Sequence, residues 1–222
     1  MSVVTPEQVR KYEEEGYVLL SGLIGLQIAA AAADALRKAL GAYPNEMEKW
    51  PDIPSGSVHD APEIVACFTP EICAAAAELA NDGLPALPAP SSTFTINIFP
   101  QEGLWRPHGP HIDHAIERDG YTVFPRPMRV ASIIYLNDVP LNGAPTVVWP
   151  GSHKNIEALA KSDPEHYALM VTLNRSLDKV DLGEPIQVPS RQGDILFYHY
   201  LTAHSGSTNA TNVPRLALVH KW

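Results

Sequence analysis

Residues 193–218 read GDILFYHYLTAHSGSTNATNVPRLAL. Within them, Asp194 to His199 is a run of strand-forming residues opened by a glycine, His204 follows it, and Ser205 to Asn209 is rich in turn formers. Arg215 then opens a last apolar strand that runs to Lys221. The stretch sets an imidazole at one strand end and a guanidinium at the start of another. The same texture extends back to about residue 91, with further candidate strands at Thr93–Phe99, Arg129–Leu136, Thr146–Trp149 and Ile186–Val188. Short strands separated by Pro and Gly predict a mainly β fold with flanking helices, a sandwich or jelly-roll barrel rather than a helix-wound parallel sheet.

Upstream, the pattern is helical. Thr5-Pro6-Glu7-Gln8 offers a capping Thr, a Pro at the first helical position and a Gln three residues after the Thr, so a helix is expected to start there and to end at Gly16. Tyr17–Leu20 reads as a strand, Leu26–Leu40 as an alanine-rich amphipathic helix and Glu71–Ala80 as another helix. The expectation is one domain over residues 1–222, with helices of 1–90 packed on a β core of 91–222. Asn155–Glu184 is polar and mixed, and reads as a long excursion between strands that covers an active-site mouth.

Composition narrows the partners. With 16 Lys+Arg against 25 Asp+Glu, the net charge of -9 repels phosphate backbones and anionic lipid, which argues against nucleic acid and membrane as partners. The start of the chain lacks the basic and apolar segments of a secretory signal, and no apolar run reaches membrane-spanning length. Cys67 and Cys73 match no zinc spacing and read as a reduced, buried pair, consistent with a cytoplasmic protein. A small-molecule substrate is left as the expected partner; the oligomeric state is not readable.

The chemistry lies among the histidines. In His111-Ile112-Asp113 the outer two residues project from one face of an extended chain and can converge on one ion. His204 adds a second imidazole, and two histidines with one carboxylate form the facial ligand set of non-haem Fe(II) oxygenases, which leaves positions open for cosubstrate and O₂. Arg215, buried by its strand, needs an anion, and its planar fork suits a carboxylate. Two other readings stay open: a cupin-type metal enzyme that uses no 2-oxo acid, and a non-enzymatic binding protein on the same fold.

These residues resemble the phytanoyl-CoA dioxygenase family. The resemblance rests on YEEEGYVLL (12–20), HID (111–113), NGAPTVVWPGSHK (142–154) and the 193–218 stretch, with roughly 41–89 and the 155–184 excursion unmatched. It implies iron held by His111, Asp113 and His204, and 2-oxoglutarate held at its distal carboxylate by Arg215. It further implies O₂ as co-reactant, with succinate and CO₂ released. Asn97, in FTINIF, corresponds to a cosubstrate-holding position, and a hydroxyl from Ser205, Ser207 or Ser132 is expected to assist the arginine. Halogenating relatives lack the carboxylate at the position of Asp113, so the resemblance implies hydroxylation or a related oxidation. His108 and His114 are not expected to be ligands, and His153 is expected to make a structural hydrogen bond. Trp105 and Arg106 are candidates for the pocket wall. The acidic charge argues against a CoA ester, and a small polar metabolite or natural-product intermediate is the preferred substrate.

Overall fold

A computed structural model describes residues 2–44, 46–50 and 55–222. The chain opens with α1 (Pro6–Glu15) and β1 (Tyr17–Leu20), followed by α2 (Leu26–Leu40) and β2 (Ser55–His59). Two helices follow, α3 (Pro62–Val65) and α4 (Pro70–Ala80), before β3 (Thr93–Asn97), β4 (Ala131–Tyr135) and β5 (Thr146–Val148). Next come α5 (Ser152–Ser162) and α6 (Met170–Asn174), then β6 (Ile186–Val188), β7 (Ile195–Tyr198), β8 (His204–Ser205) and β9 (Ala217–Lys221). The strands form a six-stranded sheet, β1-β7-β4-β9-β3-β2, and a three-stranded sheet, β6-β5-β8. Every strand pairing is antiparallel. This is the mainly β, jelly-roll architecture with flanking helices that the sequence implies.

Local chemistry explains the helix ends. The Thr5 hydroxyl accepts from the Gln8 N–H at 3.2 Å and the Gln8 side chain accepts from the Thr5 N–H at 2.8 Å, a reciprocal cap worth about 1 kcal/mol. Gly16 stops α1 at φ 79°, and a Cβ there would lie 2.4 Å from His153 Nδ1 and 2.5 Å from Thr202 Oγ1. Only glycine lets the chain turn into β1 against those side chains. His153 in turn donates to the Glu13 carbonyl at 3.2 Å, the structural role expected of it.

The large sheet is buried on both faces across its central strands β7, β4 and β9. Val18, Phe197, Ile134 and Leu218 point to one side, against Ala29, Leu36, Ile64 and Ile72 of the helices. Leu196, Ala131, Ile133, Ala217 and Val219 point to the other, toward Val147 and Val148 of the small sheet. The residues before 91 therefore supply more than outer helices, because β1 and β2 form the two edges of the six-stranded sheet.

The 155–184 segment corrects an expectation. It is largely helical, and Ile156, Met170, Leu173 and Leu177 are buried with Ile112 in the core around the small sheet. It supplies none of the residues that line the main cavity. Its apolar residues recur at helical spacing, which holds it against the sheet as a brace, and the Asn174 side chain accepts the Ile112 N–H at 2.8 Å.

One partly buried histidine ties stability to pH. His199 Nδ1 accepts the Leu201 N–H, and burial, then His153 and Arg126, lower the His199 pKa to about 3. The unfolded chain takes up this proton near the ordinary value of 6.5. Folding stability is thus full above that value and falls as pH drops from it toward 3. His199→Asn, which retains an acceptor for Leu201, is expected to lose less stability than the parent between pH 7 and pH 4. Urea midpoints of the metal-free proteins at the two pH values measure this; equal losses would show that His199 does not set the slope.

Candidate metal centre and cosubstrate cavity

His111 and His204 face each other as an antiparallel bridge, each N–H bonded to the other's carbonyl at 3.0 Å. Residues opposed in this way present their side chains on the same side, and the two rings lie 4.4 Å apart between centroids. Asp113, two residues on, reaches the same point. One ligand atom from each of His111, Asp113 and His204 lies within 4.8 Å of the others. Ligand atoms about 2.1 Å from one ion lie at most roughly 4 Å apart, so a small inward shift of these side chains would bring the three donors onto a shared centre.

The surroundings fix these donors. His204 Nδ1 donates to the Thr202 carbonyl at 3.0 Å, which leaves Nε2 free to face a metal, 4.0 Å from Asp113 Oδ2. His111 is exposed as a residue, but desolvation of its ring in the cavity, reinforced by His204, lowers its pKa to about 4, so the ring is neutral and able to ligate at pH 7. Burial pushes the Asp113 pKa upward. The His204 ring, the Lys221 ammonium and the Tyr198 hydroxyl outweigh that and hold it at about 2. Lys221 Nζ stands 2.9 Å from Asp113 Oδ1, and the Tyr198 hydroxyl donates to Oδ2 at 2.8 Å. Tyr198 and Lys221 flank Ala131 in register on one face of the sheet, and that small residue leaves room for the carboxylate between them.

The three donors open into a cavity of about 690 Å³, lined also by His108, Ser205, Thr146, Tyr198 and Arg215. That volume is sufficient for a substrate as well as a small diacid. Arg215 is 2% exposed, donates one bond to the Ala144 carbonyl at 3.0 Å, and lies 5.5 Å from the centre of the Tyr135 ring. Its Nε and the Ser205 hydroxyl are buried without a hydrogen-bond partner among the described residues. Two orphaned polar groups in one cavity mark where an anion's oxygens would be satisfied. The donor set and this pair fit a divalent metal and a carboxylate cosubstrate.

Other expected site residues lie elsewhere. Asn97 and Ser132 sit on the helix-facing side of the sheet. Asn97 donates to Thr95 Oγ1 at 3.2 Å, and the Ser132 hydroxyl accepts from Trp222 Nε1 at 3.0 Å. Strand alternation sends their neighbours Ile96, Ile98 and Ile133 into the cavity instead. Ser207 is also outside the cavity, its hydroxyl donating to the Pro145 carbonyl at 2.8 Å, so of the three serines only Ser205 shares the cavity with Arg215. His108 lines the cavity with its ring over Gly206, whereas His114 packs edge-on against Tyr121, and Trp105 and Arg106 line a separate surface hollow. Tyr198 and Lys221 were not singled out by sequence. Lys221 carried a readable signal, since Arg215, Val219 and Lys221 share one strand face.

Comparison with solved structures gives the same fold. The carbocyclase SnoK from nogalamycin biosynthesis, a non-haem α-ketoglutarate-dependent enzyme, is 21% identical with a TM-score of 0.66, over 100% of this chain and 86% of that one. AviO1 from Streptomyces viridochromogenes Tue57 is 16% identical, with a TM-score of 0.62 over 99% and 94% of the two chains. EctD from S. alaskensis, solved with 2-oxoglutarate and 5-hydroxyectoine, is 17% identical, with a TM-score of 0.61 over 98% and 76%. No curated protein matches the chain in sequence. The model of the phytanoyl-CoA dioxygenase family, however, matches residues 12–217. With that match over nearly its whole length, the chain belongs to the phytanoyl-CoA dioxygenase family of iron- and 2-oxoglutarate-dependent oxygenases.

Proposed function

We propose that this protein hydroxylates a small molecule, holding Fe(II) through His111, Asp113 and His204 and the distal carboxylate of 2-oxoglutarate through Arg215 and Ser205. The observation that carries this reading is the convergence of the three donors in the cavity that also holds a buried guanidinium with an unpartnered Nε. When bound, the metal and cosubstrate supply O₂ activation coupled to oxidative decarboxylation, with succinate and CO₂ as by-products.

The chain's own part is positioning. His111, Asp113 and His204 take one side of the ion and leave the other side free. Tyr198 and Lys221 keep Asp113 ionised and aimed, and Arg215 fixes the diacid at two points. Ile98, Ile133 and Val219 keep water away from the reacting carbon. Hydroxylation is preferred because Asp113 fills the position that a halide would need. The fold itself does not choose the outcome: SnoK is a carbocyclase and SnoN, another neighbour, an epimerase.

We further read the chain as one domain, since strands from both halves share the large sheet. A reducing, cytoplasmic setting suits the free and buried Cys67 and Cys73, and burial lifts the Cys67 pKa to about 12. No helix among the described residues is long and apolar enough to cross a membrane.

Anaerobic Fe(II) with 2-oxoglutarate is expected to raise the melting temperature above that with either alone. Admission of O₂ should then release succinate. If neither addition moves the melting temperature, the proposal fails.

A further inference from the structure

Four apolar side chains lie abreast across the inner face of the large sheet. Ile133 pairs with Val219, Val219 with Phe94, and Phe94 with Val58, so the row crosses β4, β9, β3 and β2. All four line the cavity that holds the metal donors. With strands about 4.8 Å apart, the row is about 14 Å long. Exposure climbs along it, from 4% at Ile133 and 9% at Val219 to 43% at Phe94 and 67% at Val58. Single exposed apolar residues are ordinary, but a continuous row from solvent to a metal site is a binding surface.

A glycine keeps the row flat. A Cβ on Gly56 would lie 2.5 Å from the tip of the Phe94 ring, so the ring rests over the β2 backbone where any other residue would lift it. Most of the cavity's polar groups are otherwise engaged: His111, Asp113 and His204 with the metal, Arg215 and Ser205 with the cosubstrate, Tyr198 and Lys221 with Asp113, and Thr93 and Thr146 in hydrogen bonds of the sheets, which leaves Ser92, His108 and His220. The four residues of the row offer a substrate no hydrogen bond.

We infer that the primary substrate presents a flat apolar face of fused or aromatic rings that lies along Ile133, Val219, Phe94 and Val58 and directs its edge to the metal. Of the two classes preferred from sequence, a small polar metabolite or a natural-product intermediate, this favours the second, and it rests on the function proposed above. A hydroxyl-rich molecule would be desolvated there without compensation, whereas each ring laid on the row removes apolar surface from water.

The test uses protein loaded with Mn(II) and 2-oxoglutarate, which binds without turnover. Loading is first verified by its melting shift; its absence would count against the metal reading itself. Calorimetric titration with 2-naphthol, myo-inositol and L-proline then reads the substrate class. Saturable binding of 2-naphthol alone is expected, weakened about tenfold by Val58→Lys or Phe94→Ser, one decade corresponding to about 1.4 kcal/mol. Gly56→Ala should weaken it in the same way while 2-oxoglutarate affinity stays unchanged. If loading succeeds and the polar probes bind as well as 2-naphthol, or if the row variants bind 2-naphthol like the parent, the inference is overturned.

Discussion

Asp113→Ala is expected to abolish metal-dependent stabilisation and with it all 2-oxoglutarate turnover. In the parent, metal at a hundredfold excess over its Kd adds about 2.7 kcal/mol, or roughly 5–10 °C in a protein of this size. The variant should show no shift. Removal of the carboxylate also strands its partners, because the Tyr198 hydroxyl is buried and Lys221 Nζ pairs with Asp113 at 2.9 Å. The metal-free variant should therefore be less stable than the metal-free parent by about 1–3 kcal/mol. Asp113→Asn separates the two effects: an amide oxygen still accepts a hydrogen bond, so folding stability should recover further than metal binding. Melting curves with and without Mn(II) measure both. A metal shift in Asp113→Ala equal to the parent's would remove the carboxylate from the ligand set.

The reach of sequence reading follows from where physical signals are local. The Thr5–Gln8 cap fixes the start of α1 within four residues of chain, and Gly25 to Gly41 bracket α2 at the bounds read from periodicity. Metal donors were legible because His111 and Asp113 lie two apart on an extended segment, a spacing with one geometric consequence. The face parity of the core strands was not. In β4 all five residues are buried, so ASIIY carries no alternation to separate Ser132, which faces the helices, from Ile133, which faces the cavity. Asn97 was misplaced for a related reason: in TFTIN, Thr95 and Asn97 are the buried face and the apolar Phe94 is exposed toward the cavity, the reverse of the usual rule. β2 was missed because SGSVH has little strand propensity and is held by its pairing with β3. The support that Tyr198 gives Asp113 crosses 85 residues and leaves no trace in either local sequence.

Arg215→Met is expected to divide stability from function. In the parent, the guanidinium is buried with one hydrogen bond to a backbone carbonyl, an unpartnered Nε and the face of Tyr135 for company. Burial lowers its pKa, yet a guanidinium remains charged at any working pH, so the metal-free protein carries the cost of a desolvated cation that no carboxylate among the described residues offsets. Methionine fills much of the same volume without that cost. Replacement of buried charges by apolar residues of similar size is often neutral or stabilising by about 1–4 kcal/mol, and the freed Ala144 carbonyl returns part of any gain. The variant, free of ligands, should therefore unfold at a urea midpoint equal to or above the parent's. Its affinity for 2-oxoglutarate should fall by about a hundredfold or more, as expected when two charge-assisted hydrogen bonds are lost at about 1.5–3 kcal/mol each. Mn(II) affinity without cosubstrate should be nearly unchanged. A variant that loses metal binding and folding stability together would show Arg215 to be a structural prop; a stable variant that loses only the diacid would identify a cation kept unpaired in the core for its ligand.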